Sequence, residues 1–247
     1  MNNKITKILI CLYFLAFSLL LTGCGGGGGG GSDTSSLTPV ANTTVDGCFV
    51  ERYPEPATSP YVLPYQVGMS FLVNNGNCGI SKTHQPRCTV VNENGAVVSC
   101  GDARYAYDFA MPVGIVITAA RGGRVTAVVD EFSNDTNGGD EVNLVSIQHV
   151  DGTVASYLHF SPDSIFVSVG DTVSKGDPIG LSGSSGFTTF DPAFPNPHLH
   201  ILVYKPPFTR CNSTDASGCR SVPFTFSNAN PPDKPLIQGT VYEALPF

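Results

Sequence analysis

The run Pro197-His198-Leu199-His200-Ile201-Leu202-Val203-Tyr204 reads as a β-strand with two unlike faces. Side chains two apart in an extended strand point the same way, so His198 and His200 share one face while Leu199, Ile201 and Val203 share the other. The apolar set belongs against a core and the imidazole pair on a rim. The chain holds five histidines, and one of them, His159, ends a second candidate strand, Tyr157-Leu158-His159. The same period sets Tyr157 and His159 on one face. Histidines gathered on strand faces point to a metal-dependent hydrolytic site.

Outward from this run, the pattern stays β. Val142 to His149 and Thr153 to His159 form a hairpin across Asp151-Gly152, with His149 expected near the surface and without a catalytic role. Tyr105-Ala106-Tyr107-Asp108-Phe109-Ala110 alternates around an acid, and Ile115–Ala119 and Arg124–Val129 read as a hairpin about Gly122-Gly123. Val167 to Gly180 reads as strand, turn and strand. The loop Ser182 to Asn196 leads into His198 and is a candidate determinant of substrate choice. Residues 47–100 are turn-rich, with Tyr61–Tyr65 and Met69–Val73 as short β candidates and Asn74-Asn75-Gly76-Asn77 as turn chemistry. No helical period of useful length follows the first residues. The expectation is all-β: a small antiparallel β-domain with a metal-binding groove, preceded by a turn-rich, disulfide-containing segment. High Gly (27) and Pro (19) counts and 41% hydrophobic residues agree with that class.

The front end is a targeting segment. Lys4 and Lys7 precede an apolar stretch from Ile8 to Leu21 that is short for a permanent span. Leu21-Thr22-Gly23-Cys24 resembles a bacterial lipobox, which implies that residues 1–23 are a signal peptide and that Cys24 carries the lipid. Gly25 in the next position favours an anchor in the outer membrane, facing the periplasm. Residues 24–46, opening with seven glycines, read as a flexible tether. Residues 47–102 then form a disulfide-containing segment packing on the catalytic domain, which runs from 103 to 247 with a C-terminal extension. Removal of residues 1–23 takes the formal charge from −7 to −9. An acidic chain without a basic stripe excludes nucleic acid as a partner.

Past Cys24 remain Cys48, Cys78, Cys88, Cys100, Cys211 and Cys219. An even number in an exported chain points to three disulfides, and local loops make Cys88–Cys100 and Cys211–Cys219 the readiest pairs, leaving Cys48 with Cys78. Connectivity stays open. A cysteine zinc site is disfavoured because no Cys-x-x-Cys occurs.

Five segments in order carry a family resemblance: Tyr107-Asp108-Phe109-Ala110-Met111-Pro112-x-Gly114, His149-x-Asp151-Gly152, Tyr157-x-His159, the Val169-Gly170-Asp171 to Gly183 segment, and His198-Leu199-His200. Together they resemble the lysostaphin-type (LytM) zinc metallopeptidases over roughly Ala103 to Tyr204. The resemblance implies a zinc-dependent endopeptidase that cuts stem-peptide cross-links of bacterial peptidoglycan. It implies Asp108 and His200 as metal ligands, and His159 and His198 as catalytic histidines whose division into base and electrophile stays open. A zinc ion on three protein donors keeps a place for water and acidifies it, which suits peptide hydrolysis near neutral pH.

One position departs from the family pattern. Arg104 stands four residues before Asp108, where a ligand histidine is usual, and a guanidinium has no acceptor to offer a metal. Some exported members resemble this chain in placing a Ser/Thr-His after a Gly-Asn turn, which implies His84 as the missing ligand after Gly76-Asn77. The alternative is a degenerate domain that binds cell wall or activates a partner hydrolase. Val169 to Gly176 also resembles the turn of biotinyl carrier domains, but no Met-Lys-Met hairpin precedes it. Gly183-Ser184-Ser185-Gly186 lacks the strand and helix that expose a serine nucleophile.

Overall fold

The computed structural model describes residues 52–78, 84, 103–135, 141–189, 196–205 and 221–247, together with strand backbone at 90–91 and 97–99. All of these fall in one compact unit, Thr43–Phe247. The signal and tether, residues 1–46, lie outside the described residues, as do Cys24, Cys48, Cys88, Cys100, Cys211 and Cys219. Cys78 is disulfide-bonded.

The strands are β1 (Ser70–Asn75), β2 (Val90–Val91), β3 (Val97–Ser99), β4 (Tyr107–Ala110), β5 (Val116–Thr118), β6 (Gly123–Val129), β7 (Leu144–Gln148), β8 (Val154–Leu158), β9 (Phe160–Ile165), β10 (Thr172–Val173), β11 (Pro178–Ser182), β12 (His198–Tyr204), β13 (Ala229–Asn230) and β14 (Val241–Ala244). Among the described residues, helix is limited to the 3-10 turn at Pro56–Thr58 and the 3-10 conformation of His84. Nine strands make one antiparallel sheet in the order β10-β6-β7-β8-β12-β4-β1-β14-β13. β5, β11 and β9 make a smaller sheet, and β2 and β3 pair with each other. The fold is therefore all-β and antiparallel.

Period-2 alternation explains the large sheet. Tyr107 and Phe109 of β4, Leu199, Ile201 and Val203 of β12, Ala155 and Tyr157 of β8, and Val145 and Ile147 of β7 all turn to one face and are buried. They form one core with Ile117, Phe160 and Ile179 of the smaller sheet and with Tyr65, Phe224 and Phe226. Each such large side chain contributes about 1.5–3 kcal/mol by leaving water. The opposite face of β4 and β12 is left for polar residues.

The β7–β8 hairpin closes as the sequence suggests, with Gln148 opposite Val154 and Gly152 at φ 81° in the turn. Other expectations need correcting. Ile115–Ala119 and Arg124–Val129 do not form a hairpin: β5 pairs with β11 in the small sheet, whereas β6 pairs with β7 and β10 in the large one. The link between them is held elsewhere. Ala119 N–H donates to the Asp177 carbonyl at 2.9 Å, and Ala120 N–H donates to the buried Tyr157 hydroxyl at 2.8 Å. The strand, turn and strand expected within Val167 to Gly180 are present as β10 and β11, which join different sheets. Asn74 and Asn75 are the last residues of β1, not part of a turn.

His149 is buried at 3% exposure, not near the surface. Its Nδ1 donates to the Gly122 carbonyl at 2.9 Å, and its ring meets the Tyr61 ring edge-on at 5.4 Å. Burial pushes its pKa down and keeps it neutral.

β1 joins the segment before residue 103 to the sheet, between β4 and β14. Its pairing with β4 slips by one residue: Val73 faces Phe109, but Asn75 faces Asp108. The extra residue is a β-bulge, and it turns Asn75 from the core face to the face of Asp108.

Two tests address this architecture. A Cβ on Gly123 would lie 2.3 Å from the Gln148 carbonyl oxygen, so Gly123→Ala should destabilise the protein by about 1–3 kcal/mol in urea unfolding. An unchanged midpoint would show that β6 does not approach β7 this closely. At the hairpin tip, burial tends to raise the Asp151 pKa, but hydrogen bonds from Thr153 and Arg121 lower it to about 2. A carboxyl depressed in the folded state stabilises it above the unfolded pKa, and that contribution is lost as pH falls through the folded value. Asp151→Asn should therefore lower the melting temperature slightly at neutral pH, with the difference from wild type vanishing near pH 2. A difference that persists there would remove the ionic explanation.

Candidate metal centre and active site

The register of three strands assembles the site. His200 of β12 stands opposite Asp108 of β4 on one side and Leu158 of β8 on the other. Because Leu199 and Ile201 are committed to the core, His198 and His200 are held on the face opposite it, where Asp108 also points.

His159 reaches this face by another route. β8 ends at Leu158, and His159 adopts φ 72°, the left-handed region that few non-glycine residues occupy. That reversal separates it from Tyr157, which is in the core, so the expectation that the two share a face is corrected. The His159 ring centroid lies 4.6 Å from that of His198 and 6.0 Å from that of His200. The unusual backbone is pinned: His159 N–H donates to the Asn143 carbonyl at 3.0 Å, and its own carbonyl accepts from Gly183 N–H at 2.8 Å.

His84 arrives from the connection between β1 and β4 and is fully buried. Its Nε2 lies 3.2 Å from Asp108 Oδ1 and 3.4 Å from His200 Nδ1, while His200 Nδ1 lies 2.7 Å from the same carboxylate oxygen. His198 Nε2 is 3.7 Å from it. The other carboxylate oxygen, Oδ2, accepts a hydrogen bond from Asn75 Nδ2 at 3.1 Å. The Arg104 guanidinium lies over the Tyr105 ring, 5.9 Å from its centroid.

Three backbone carbonyls decide which ring nitrogens carry hydrogen. A carbonyl only accepts, so His84 Nδ1 donates to Gly76 at 2.9 Å, His159 Nδ1 to Ser185 at 2.7 Å and His198 Nδ1 to Asn196 at 2.7 Å. In the neutral rings each Nε2 is then left with a lone pair. Ser185 and Asn196, both within the stretch expected as a loop before β12, thus orient two of the histidines.

Charge is tuned by the same contacts. Burial alone would raise the Asp108 pKa, but His84, His198 and His200 around it hold it well below the usual carboxylate range. Burial works against protonation of His84, yet the Asp108 charge and hydrogen bond raise its pKa. His200 is pushed down by burial, and His159 is pushed well down by burial and by its two histidine neighbours. Asp108 is therefore anionic and His159 neutral.

The donor set suits a metal ion. One ligand atom each from His84, Asp108 and His200 lies within 4.8 Å of the others. Ligand atoms at about 2.0–2.1 Å from a tetrahedral zinc are about 3.3 Å apart, close to the separations seen here. The structure also brings His159 and His198 beside these three. Sequence reading missed Asn75 and Asn143. Asn143 is fully buried, its side-chain amide bonding Phe132 and Phe160 while its backbone N–H donates to Ser185 Oγ. Neither residue sits in a pattern that local sequence could have flagged.

Residues 102–215 match Peptidase family M23, and this part of the chain is an M23 peptidase domain. Over 93 residues the chain is 40% identical to the peptidoglycan DD-endopeptidase ShyA of Vibrio cholerae, covering 38% of this chain and 18% of that protein. It is 30% identical over 115 residues to lysostaphin of Staphylococcus simulans, covering 47% and 21%. A solved structure of that lysostaphin shares 31% identity with a TM-score of 0.34, covering 48% of this chain and 42% of the other. The chain spans about a fifth of the length of these two curated relatives. β1, His84, β13 and β14 lie outside the matched residues.

The tautomers are directly measurable. Long-range 1H–15N NMR of labelled protein should show Nδ1–H on both His159 and His198, with Nε2 of His159 free at neutral pH. A ring with Nδ1 bare and its hydrogen on Nε2 would contradict the carbonyl contacts described above.

Proposed function

We propose that this protein is a zinc-dependent endopeptidase that hydrolyses peptide cross-links of bacterial peptidoglycan, held in the cell envelope by a lipid on Cys24. The observation that carries the reading is the meeting of His84 Nε2, Asp108 Oδ1 and His200 Nδ1 at one buried point beside two further imidazoles. Membership of residues 102–215 in a peptidase family and the peptidoglycan DD-endopeptidase among the relatives support the reaction and the substrate class. The anchor rests on Leu21-Thr22-Gly23-Cys24, and the glycine run behind it would let the domain reach wall held near the outer membrane, on its periplasmic side.

His84, Asp108 and His200 would hold one zinc per chain, which supplies a Lewis acid that polarises the scissile carbonyl and acidifies water. The rest is the work of the protein. Asp108 keeps its negative charge because the surrounding imidazoles favour the carboxylate. His159, neutral and with Nε2 free, is in the state a proton acceptor needs; it can take a proton from attacking water and return one to the departing amine. His198, oriented through Asn196, lies against the His159 ring and, with hydrogen on Nε2, can donate a hydrogen bond to developing negative charge on the carbonyl oxygen. The two rings are in contact, so one can compensate in part for the other.

Metal content and wall digestion test the assignment together. Wild type should take up stoichiometric zinc and release muropeptides from purified sacculi, and His84→Ala, Asp108→Ala and His200→Ala should lose both. His159→Ala and His198→Ala should retain zinc while activity falls by about 10²–10⁴-fold. Stoichiometric zinc in His84→Ala would sink the ligand set. Zinc uptake without any muropeptide release by wild type would sink the reaction.

A further inference from the structure

We propose that Asn75 is a positioning residue that locks Asp108 in the rotamer needed to hold the metal, and that Asn75-Gly76 together aim two of the three metal donors. This rests on the zinc site proposed above. The Asp108 carboxylate turns about a torsion with a broad, weakly restrained profile, so nothing intrinsic decides which oxygen faces the imidazoles. The structure decides it with one contact. Asn75 Nδ2 donates to Oδ2 at 3.1 Å, which leaves Oδ1 directed at His84 and His200. The very next residue, Gly76, accepts from His84 Nδ1 through its carbonyl and so sets the lone pair of His84 Nε2 toward the same point.

The chemistry of the donor matters. A neutral amide fixes an oxygen without cancelling its charge, whereas a lysine or arginine in the same place would compete with a cation for the carboxylate. The backbone is shaped for the contact as well. In regular pairing Asn75 would stand opposite Tyr107 on the core face; the bulge after Val73 sets it opposite Asp108. Both oriented donors thus depend on the end of β1, which lies outside the stretch matched by the peptidase family. The same segment that brings His84 also brings its orientation and that of Asp108.

Zinc affinity, measured by competition with a chromophoric chelator, tests this on wild type, Asn75→Ala and Asn75→Leu. The leucine keeps the branched shape of the amide and removes its donor. Both variants should bind zinc about 10–100-fold more weakly than wild type, in line with the loss of an outer partner at other metal sites. Their metal-free forms should melt within a few degrees of wild type, and at saturating zinc kcat should fall with KM little changed. Affinity within about twofold of wild type in a folded variant would overturn the assignment while leaving the zinc site standing. Failure of both variants to fold would overturn it too, since Asn75 would then hold the fold and not the metal. A wild type that takes up no zinc would remove the zinc site and this inference with it.

Discussion

Three electron-pair donors meet at one buried point, and the rest of the structure depends on that meeting being tolerable. Asp108 Oδ1, His84 Nε2 and His200 Nδ1 are 2.7–3.4 Å apart. Lone pairs and a negative charge this close, away from water, repel unless something positive stands among them. A proton does so in part: the Asp108 charge raises the His84 pKa against the effect of burial. A divalent cation does so more fully, at the expense of that proton. A depressed carboxylate among crowded imidazoles is a donor set that suits a divalent cation.

The sheet makes the crowding rigid. Core packing on one face of β4, β8 and β12 leaves no freedom in register, so Asp108 and His200 are obliged to face each other. The ring orientations come from backbone carbonyls at Gly76, Ser185 and Asn196, groups already fixed by the fold. Of the five residues gathered at the site, His159 alone has a positive φ, which costs of order 1 kcal/mol or more and persists because Asn143 holds its N–H and Gly183 its carbonyl. That conformation carries the chain from the large sheet into β9 of the small one, so the same kink serves topology and site.

Much of this could be read from local pattern. The β12 alternation, the β7–β8 hairpin and the acid within β4 all obey a period of two, and a period is a property of neighbours in sequence. Where sequence reading failed, the deciding partner was distant. His159 left the Tyr157 face because Asn143 and Gly183 fix a left-handed residue. β5 and β6 parted because Asp177 and Tyr157 hold the link between them. His149 is buried because Tyr61 and Gly122 close over a turn that looked exposed. His84 could be proposed only through family likeness, since a histidine in a polar stretch has no local mark of a ligand. Asn75 had no mark at all: only a bulge against β4 gives it a role.

The central claim is that a segment outside the matched peptidase stretch completes the metal centre through His84. Zinc-edge anomalous diffraction from crystals of the zinc-loaded protein tests it most directly. The account predicts one strong anomalous peak within bonding distance of His84 Nε2, Asp108 Oδ1 and His200 Nδ1. A peak on Asp108 and His200 with His84 turned away, or zinc bound elsewhere on the chain, would contradict it.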